Sequence, residues 1–197
     1  MNEVQIIEGC RKFRKDAQKA LYEKYVSSFR AICRRYTNDT QDANDILHDC
    51  FIKIFTKFDQ YTGNGSLEGW MKRIIINACV SWFRDKNVNN QYIKVDEIID
   101  SRILEEETES VEECDDARSA ILNANLTKEE IMDAVNLLPE GFRMVFFLYV
   151  FENYKHHEIA RELNIDVNTS KSQLSRARKL LQKKLMELCQ TRVMVTS

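Results

Sequence analysis

The densest concentration of side chains able to do chemistry lies between Asn168 and Leu185, NTSKSQLSRARKLLQKKL, where Lys171, Arg176, Arg178, Lys179, Lys183 and Lys184 stand without one acid among them. Placed on a helix, Leu174, Ala177, Leu181 and Leu185 share one face, and Ser172, Arg176, Lys179 and Lys183 share the opposite one. Apolar contact and cationic display therefore separate. Within residues 168–185 no carboxylate is present to neutralise these cations through i,i+4 pairing, which favours a polyanion outside the protein over a merely solvated face. Hydroxyl and cationic groups at the start of such a helix suit hydrogen bonding to base edges, with further cations on phosphates. The pattern assigns Lys171, Ser172, Ser175 and Arg176 to base reading and Arg178 and Lys179 to backbone contacts, and leaves Lys183 and Lys184 beyond the groove.

A second cluster, His156, His157 and Glu158, invites a metal or acid–base reading. Neighbouring side chains on a helix diverge by about 100 degrees, so the two imidazoles cannot readily share one ion. They are expected at the surface. No nucleophile, base and orienting group assemble at readable spacing, so neither an enzyme nor a cofactor is expected. Six cysteines, at positions 10, 33, 50, 79, 114 and 189, form no CxxC pair and suit structural thiols in a reducing cytosol. The start of the chain lacks a signal-peptide core, and no run of about eighteen apolar residues occurs, so a cytoplasmic protein without direct membrane insertion is expected.

The elements that must position these groups are helices. One proline and five glycines in 197 residues argue against a turn-rich sheet protein, and apolar residues recur at helical spacing. The first helix is expected from Arg11 to Tyr36, with Phe13, Ala17, Leu21, Tyr25 and Phe29 as its apolar stripe, and a second from about Asp42 to Phe58. The glycine-bearing loop DQYTGNGSLEG precedes a third, from about Leu67 to Asp85. TKEE at Thr127 is a capping-box pattern opening a helix to Leu137 or Leu138, and Pro139 suits the first turn of the apolar helix PEGFRMVFFLYVFEN. Helices follow from about His156 to Leu163 and from near Val167 past Leu185, joined by Asn164–Asp166, where Asn164 suits a left-handed conformation and Asp166 a cap. Short helix, tight turn and longer basic helix make a helix-turn-helix.

Charge divides the same way. Residues 1–90 carry a net +4, residues 91–130 a net −9 and residues 131–197 a net +3, within a total of −2. The expected architecture is all-α: two small helical domains, 1–90 and 127–197, joined by an acidic linker over 91–126, the second domain a helix-turn-helix.

The order EIARELNIDVNTSKSQLSRARKLL resembles the carboxy-terminal DNA-binding region of sigma factors, the promoter-recognition subunits of bacterial RNA polymerase. DANDILHDCFIKIFTKFDQY followed by GSLEGWMKRIIINACVSWFRDKN resembles their other obligatory domain, in the same order. Two such domains with a short linker resemble the extracytoplasmic-function (ECF) group. The resemblance implies a non-catalytic subunit that binds core RNA polymerase and promoter DNA, with the minus-35 element on the second domain and the minus-10 element on the first. It also implies an anti-sigma factor as a further partner. A polymerase-independent helix-turn-helix regulator with a helical sensor domain stays open as the alternative.

The resemblance gives roles to residues of the first domain. On the second helix Ala43, Ile46, Cys50 and Ile54 form a buried side, whereas Asp45, His48, Asp49 and Ile52 face away and would dock on core polymerase. On the third, Trp70, Arg73, Asn77, Ser81 and Arg84 form a stripe suited to stacking on unpaired minus-10 bases and holding their phosphates. Asn64 and Ser66 lie in the preceding loop, a candidate receiver of a flipped base, though the turn after Asp85 is also nearby. Departures from the family pattern are Lys155 in place of a capping Ser or Thr, Ser170 in place of an aliphatic residue, Gln173 in place of a cation, and His48 in place of glutamine.

Overall fold

The computed structural model describes residues 1–37, 39–90, 121 and 126–196, and among these every regular element is helical. Contacts divide the chain into Met1–Lys86 and Asn87–Ser197. The expected acidic linker lies almost entirely outside the described residues.

The first unit contains α1 (Glu3–Arg11), α2 (Lys15–Tyr36), α3 (Thr40–Thr56), a 3-10 turn at Phe58–Gln60, and all but the last four residues of α4 (Leu67–Asn90). Its core is aliphatic and aromatic, with Leu21, Phe29, Ile54, Phe58, Leu67, Met71 and Ile75 essentially sealed from water. Burial of each such side chain contributes roughly 1.5 to 3 kcal/mol relative to exposure. The thiols of Cys10, Cys33, Cys50 and Cys79 are buried with them. Burial pushes Cys10 to about 11 and Cys50 to about 12, so neither is a ready nucleophile.

The helix expected from Arg11 to Tyr36 begins at Lys15, and a separate helix beyond those expected, α1, precedes it over Glu3–Arg11. Asn2 caps α1, accepting from the Gln5 amide while the Gln5 side chain accepts from the Asn2 amide. A Cβ on Gly9 would stand 2.3 Å from the Ala17 Cβ, so glycine is what lets α1 fold back closely on α2. The corner between them is a complete Schellman motif: Arg14 N–H donates to the Gly9 carbonyl at 2.9 Å and Phe13 N–H to the Cys10 carbonyl at 3.0 Å. Phe13 occupies the left-handed position, with φ of 53°, and is 61% exposed, so its expected place on the buried stripe is wrong. That backbone region costs a non-glycine residue about 1–2 kcal/mol.

The second unit contains α5 (Lys128–Asn136), α6 (Glu140–Val150), α7 (His156–Leu163) and α8 (Val167–Thr196). Thr127 and Glu130 form the expected capping box, the Thr127 amide donating to the Glu130 carboxylate at 2.7 Å. Phe142, Phe147, Leu148 and Ile159 fill the interior. Arg143 is also interior, at 4% exposure, and its guanidinium donates to the Asn136 carbonyl at the end of α5, 2.9 Å away. A cation there satisfies an orphan carbonyl and complements the helix dipole.

Candidate functional site

The connection between α7 and α8 aims the basic residues. Asn164 takes the left-handed conformation at φ 56°, which asparagine tolerates, and Ile165 N–H donates to the Ala160 carbonyl. Asp166 then caps α8, its carboxylate accepting from Asn168 N–H at 2.7 Å. Leu174, Ala177 and Leu185 are buried and Leu181 half-buried, whereas Lys171, Ser175, Arg178, Lys179 and Lys183 are exposed. Ser172 and Arg176 are half-buried, and the Ser172 hydroxyl donates to the Thr169 carbonyl. The start of α8 thus carries a run of exposed cations on a well-anchored frame.

Two of the departures from pattern acquire a structural account. Ser170 is fully buried, and its Oγ pairs with His156 Nδ1 at 3.0 Å, so a polar bond between α7 and α8 replaces an aliphatic contact. Gln173 is buried as well. At Lys155, the Glu158 carboxylate accepts from the Lys155 amide at 2.7 Å, supplying half of a capping box without a side-chain cap. His156 is therefore not the free surface residue expected: its ring stacks on Tyr149 at 4.8 Å, and Arg178 lies over the same tyrosine at 5.6 Å. Burial, then Lys171 and Arg178, hold its pKa below the ordinary histidine value. His157 is exposed.

In the first unit Asp39 caps α3, accepting from Gln41 N–H at 2.8 Å. Ala43, Ile46, Cys50 and Ile54 are buried, and Asp45, His48, Asp49 and Ile52 are exposed, Ile52 by 49%. Both sides of this helix fall as its periodicity predicts. Beside Asp45 and His48 runs a groove of about 650 Å³ to which α2 contributes Tyr22, Arg30 and Arg34.

The loop before α4 is held from both ends. Arg11 donates to the Tyr61 carbonyl at 2.7 Å, and the Tyr61 hydroxyl to the Gly65 carbonyl at 2.8 Å. Gly63 and Gly65 have φ of 84° and 97°, a backbone that glycine accepts freely, and Asn64 stands exposed between them. Ser66 has a structural duty that spacing did not reveal: its Oγ accepts from Gly69 N–H at the start of α4. Trp70 is half-buried, its ring 5.5 Å from Tyr61 and 5.8 Å from Phe58, so it joins core to surface. Arg73 and Asn77 are exposed along the same stripe, and Ser81 and Arg84 half-buried.

Among the described residues no group of three or more His, Cys, Asp or Glu could hold a metal ion, and no helix is long and apolar enough to cross a membrane. The comparisons with known proteins divide as the helices do. The family described as Sigma-70 region 2 matches residues 21–88, and that described as Sigma-70, region 4, matches residues 128–181. The chain is 25% identical to the ECF RNA polymerase sigma factor SigW of Bacillus subtilis, over 92% of this chain and 96% of that one. It is 24% identical to RNA polymerase sigma-H factor of Pseudomonas aeruginosa, over 93% and 94%, and 23% identical to the ECF sigma-E factor of Escherichia coli K12, also over 93% and 94%. A co-crystal structure of the sigma factor RpoE with the anti-sigma factor NepR from Bartonella quintana matches at 22% identity and a TM-score of 0.45, covering 85% of this chain and 95% of that one. Two sigma-70 regions in one chain, with relatives aligned over nearly their whole lengths, place this protein in the ECF group of sigma-70 family RNA polymerase sigma factors, non-enzymatic subunits that bind core polymerase and direct transcription initiation.

Proposed function

We propose that the chain divides its work between two domains, 1–90 and 127–197, joined by an acidic linker. The first grips core polymerase through Asp45, His48, Asp49 and Ile52, and takes hold of the minus-10 element as it melts. Trp70, Arg73, Asn77 and Arg84 line the single strand, and Asn64, at the tip of its two-glycine loop, meets an extruded base. Ser66 acts there through its cap, by fixing where the loop joins α4. The second domain is a helix-turn-helix that clasps duplex DNA at the minus-35 element. Lys171, Ser172, Ser175 and Arg176 face base edges, and Arg178 and Lys179 hold phosphates.

The observation that carries this reading is the partition of α8. Leu174 and Ala177 are sealed in the core while Lys171, Ser175, Arg178 and Lys179 stand exposed at the end presented by a capped turn. A face of that kind has a polyanion as its natural counterpart. An anti-sigma factor is a further partner by family resemblance, and the cytoplasm, where polymerase works, is the proposed location.

The test is in vitro transcription with sigma-free core polymerase and a promoter library. Addition of the protein is expected to create start-site selection, with enriched sequences clustered near minus-35 and minus-10. Random initiation, unchanged by the protein, would reject the proposal.

A further inference from the structure

Phe13 is the least expected residue at its position. Among the described residues three that are not glycine have positive φ, and the other two, Asn153 and Asn164, are asparagines, which suit it. An aromatic ring at the left-handed position of a Schellman motif is strained, and its exposure denies it the burial that would offset the strain. Folding alone gives no reason for phenylalanine here.

The surroundings point to a ligand. Arg11, Lys12, Arg14 and Lys15 flank the ring in sequence and all are exposed. Arg14 pairs with Asp16, and Arg11 donates to the Tyr61 carbonyl at 2.7 Å. That second bond joins the corner to the loop carrying Asn64, and Tyr61 in turn contacts Trp70. An aromatic ring among cations, continuous with a proposed single-strand surface, has the composition of a stacking platform.

We infer that the α1–α2 corner is an additional contact for unpaired promoter DNA, with Phe13 stacking on a base and Lys12 and Lys15 on the adjoining phosphates. The inference rests on the proposed minus-10 role of the first domain and extends that surface beyond α4 and its loop. The partner is single-stranded DNA of the opened promoter; a protein surface on polymerase is the competing occupant.

The test uses holoenzyme reconstituted from core polymerase and full-length protein. Affinity is measured for promoter DNA with an unpaired minus-10 segment and for fully duplex DNA, beside affinity for core polymerase. Phe13→Gly is the informative variant because it removes the ring and relieves the backbone. It is expected to raise the unfolding temperature and to weaken unpaired-DNA binding by roughly 5- to 100-fold, the range of base–aromatic stacking. Core affinity should not change. Phe13→Trp should retain binding, and Lys12→Gln with Lys15→Gln should lower the salt dependence. Trp70→Ala serves as the comparison. If it weakens binding to unpaired DNA while Phe13→Gly does not, the corner is not a DNA contact and the inference falls alone. If neither has an effect, the single-strand surface falls with it. If Phe13→Gly instead weakens core binding, the corner is a protein contact and the inference is overturned.

Discussion

His156 Nδ1 lies 3.0 Å from the Oγ of Ser170, joining α7 to α8 across the turn that aims the basic face. The imidazole pKa is held below its ordinary value by burial and by Lys171 and Arg178, so the unfolded chain takes up this proton more readily than the folded one. The histidine's contribution to stability is complete above about pH 6.5, the unfolded value, and is lost as pH falls through that value toward the folded pKa. Urea titrations of the protein should show the second unit losing stability over that range, and His156→Gln should flatten the dependence. An unchanged slope in the variant would mean that another group governs it.

Arg143 is interior and committed to the Asn136 carbonyl. Arg143→Ala should destabilise the second unit by about 2 kcal/mol, the scale of a hydrogen bond to a charged group. Chemical denaturation followed by circular dichroism measures the loss. A change within experimental error would show that water replaces the guanidinium without penalty.

Arg176 and Lys179 should fail in different ways. Arg176→Ala is expected to cost roughly 1 to 3 kcal/mol at the cognate minus-35 sequence and to relax selectivity at one base pair. Lys179→Ala should weaken binding to every sequence alike and reduce the salt slope by about one. Holoenzyme binding to a panel of single-base promoter variants, repeated at several salt concentrations, separates the two. Selectivity unchanged by Arg176→Ala would remove that residue from base reading.

Ile52 is an apolar side chain in solvent beside Asp45, His48 and Asp49. Ile52→Asp should leave the unfolding midpoint nearly unchanged, because the position is exposed, and weaken core polymerase binding on the order of tenfold or more. Normal co-purification of the variant with core enzyme would move the docking surface elsewhere.

What could be read from residues alone is what local chemistry determines. The Thr127–Glu130 box, the left-handed Asn164, the Asp166 cap and the two sides of α3 follow from side chains acting on their own backbone or from period, and each appears as expected. What escaped depends on contacts between elements. The apolar spacing runs smoothly through Phe13 into Ala17, whereas the chain turns there through a left-handed Phe13, with Gly9 packed closely on Ala17. The Asn2–Gln5 box was a legible sign of the shorter α1. The His156–Ser170 bond joins two helices and is decided by the fold, whereas the Ser66 cap on Gly69, only three residues away, is local and is masked in the sequence by a residue type that suggests a surface role.

Helix α8 begins at the basic face proposed to meet DNA, and near its far end Arg192 pairs with Glu130 at 3.2 Å, in the first turn of α5. At 1.5 Å of rise per residue, Lys171 and Arg192 are separated by about 30 Å of continuous helix. The start of α5 is therefore held at the opposite extremity of α8 from its basic end. If α8 meets promoter DNA as proposed, changes in chain length just before Thr127 enter this unit at the far end of the helix from that contact, and spacer length and sequence preference can then vary separately.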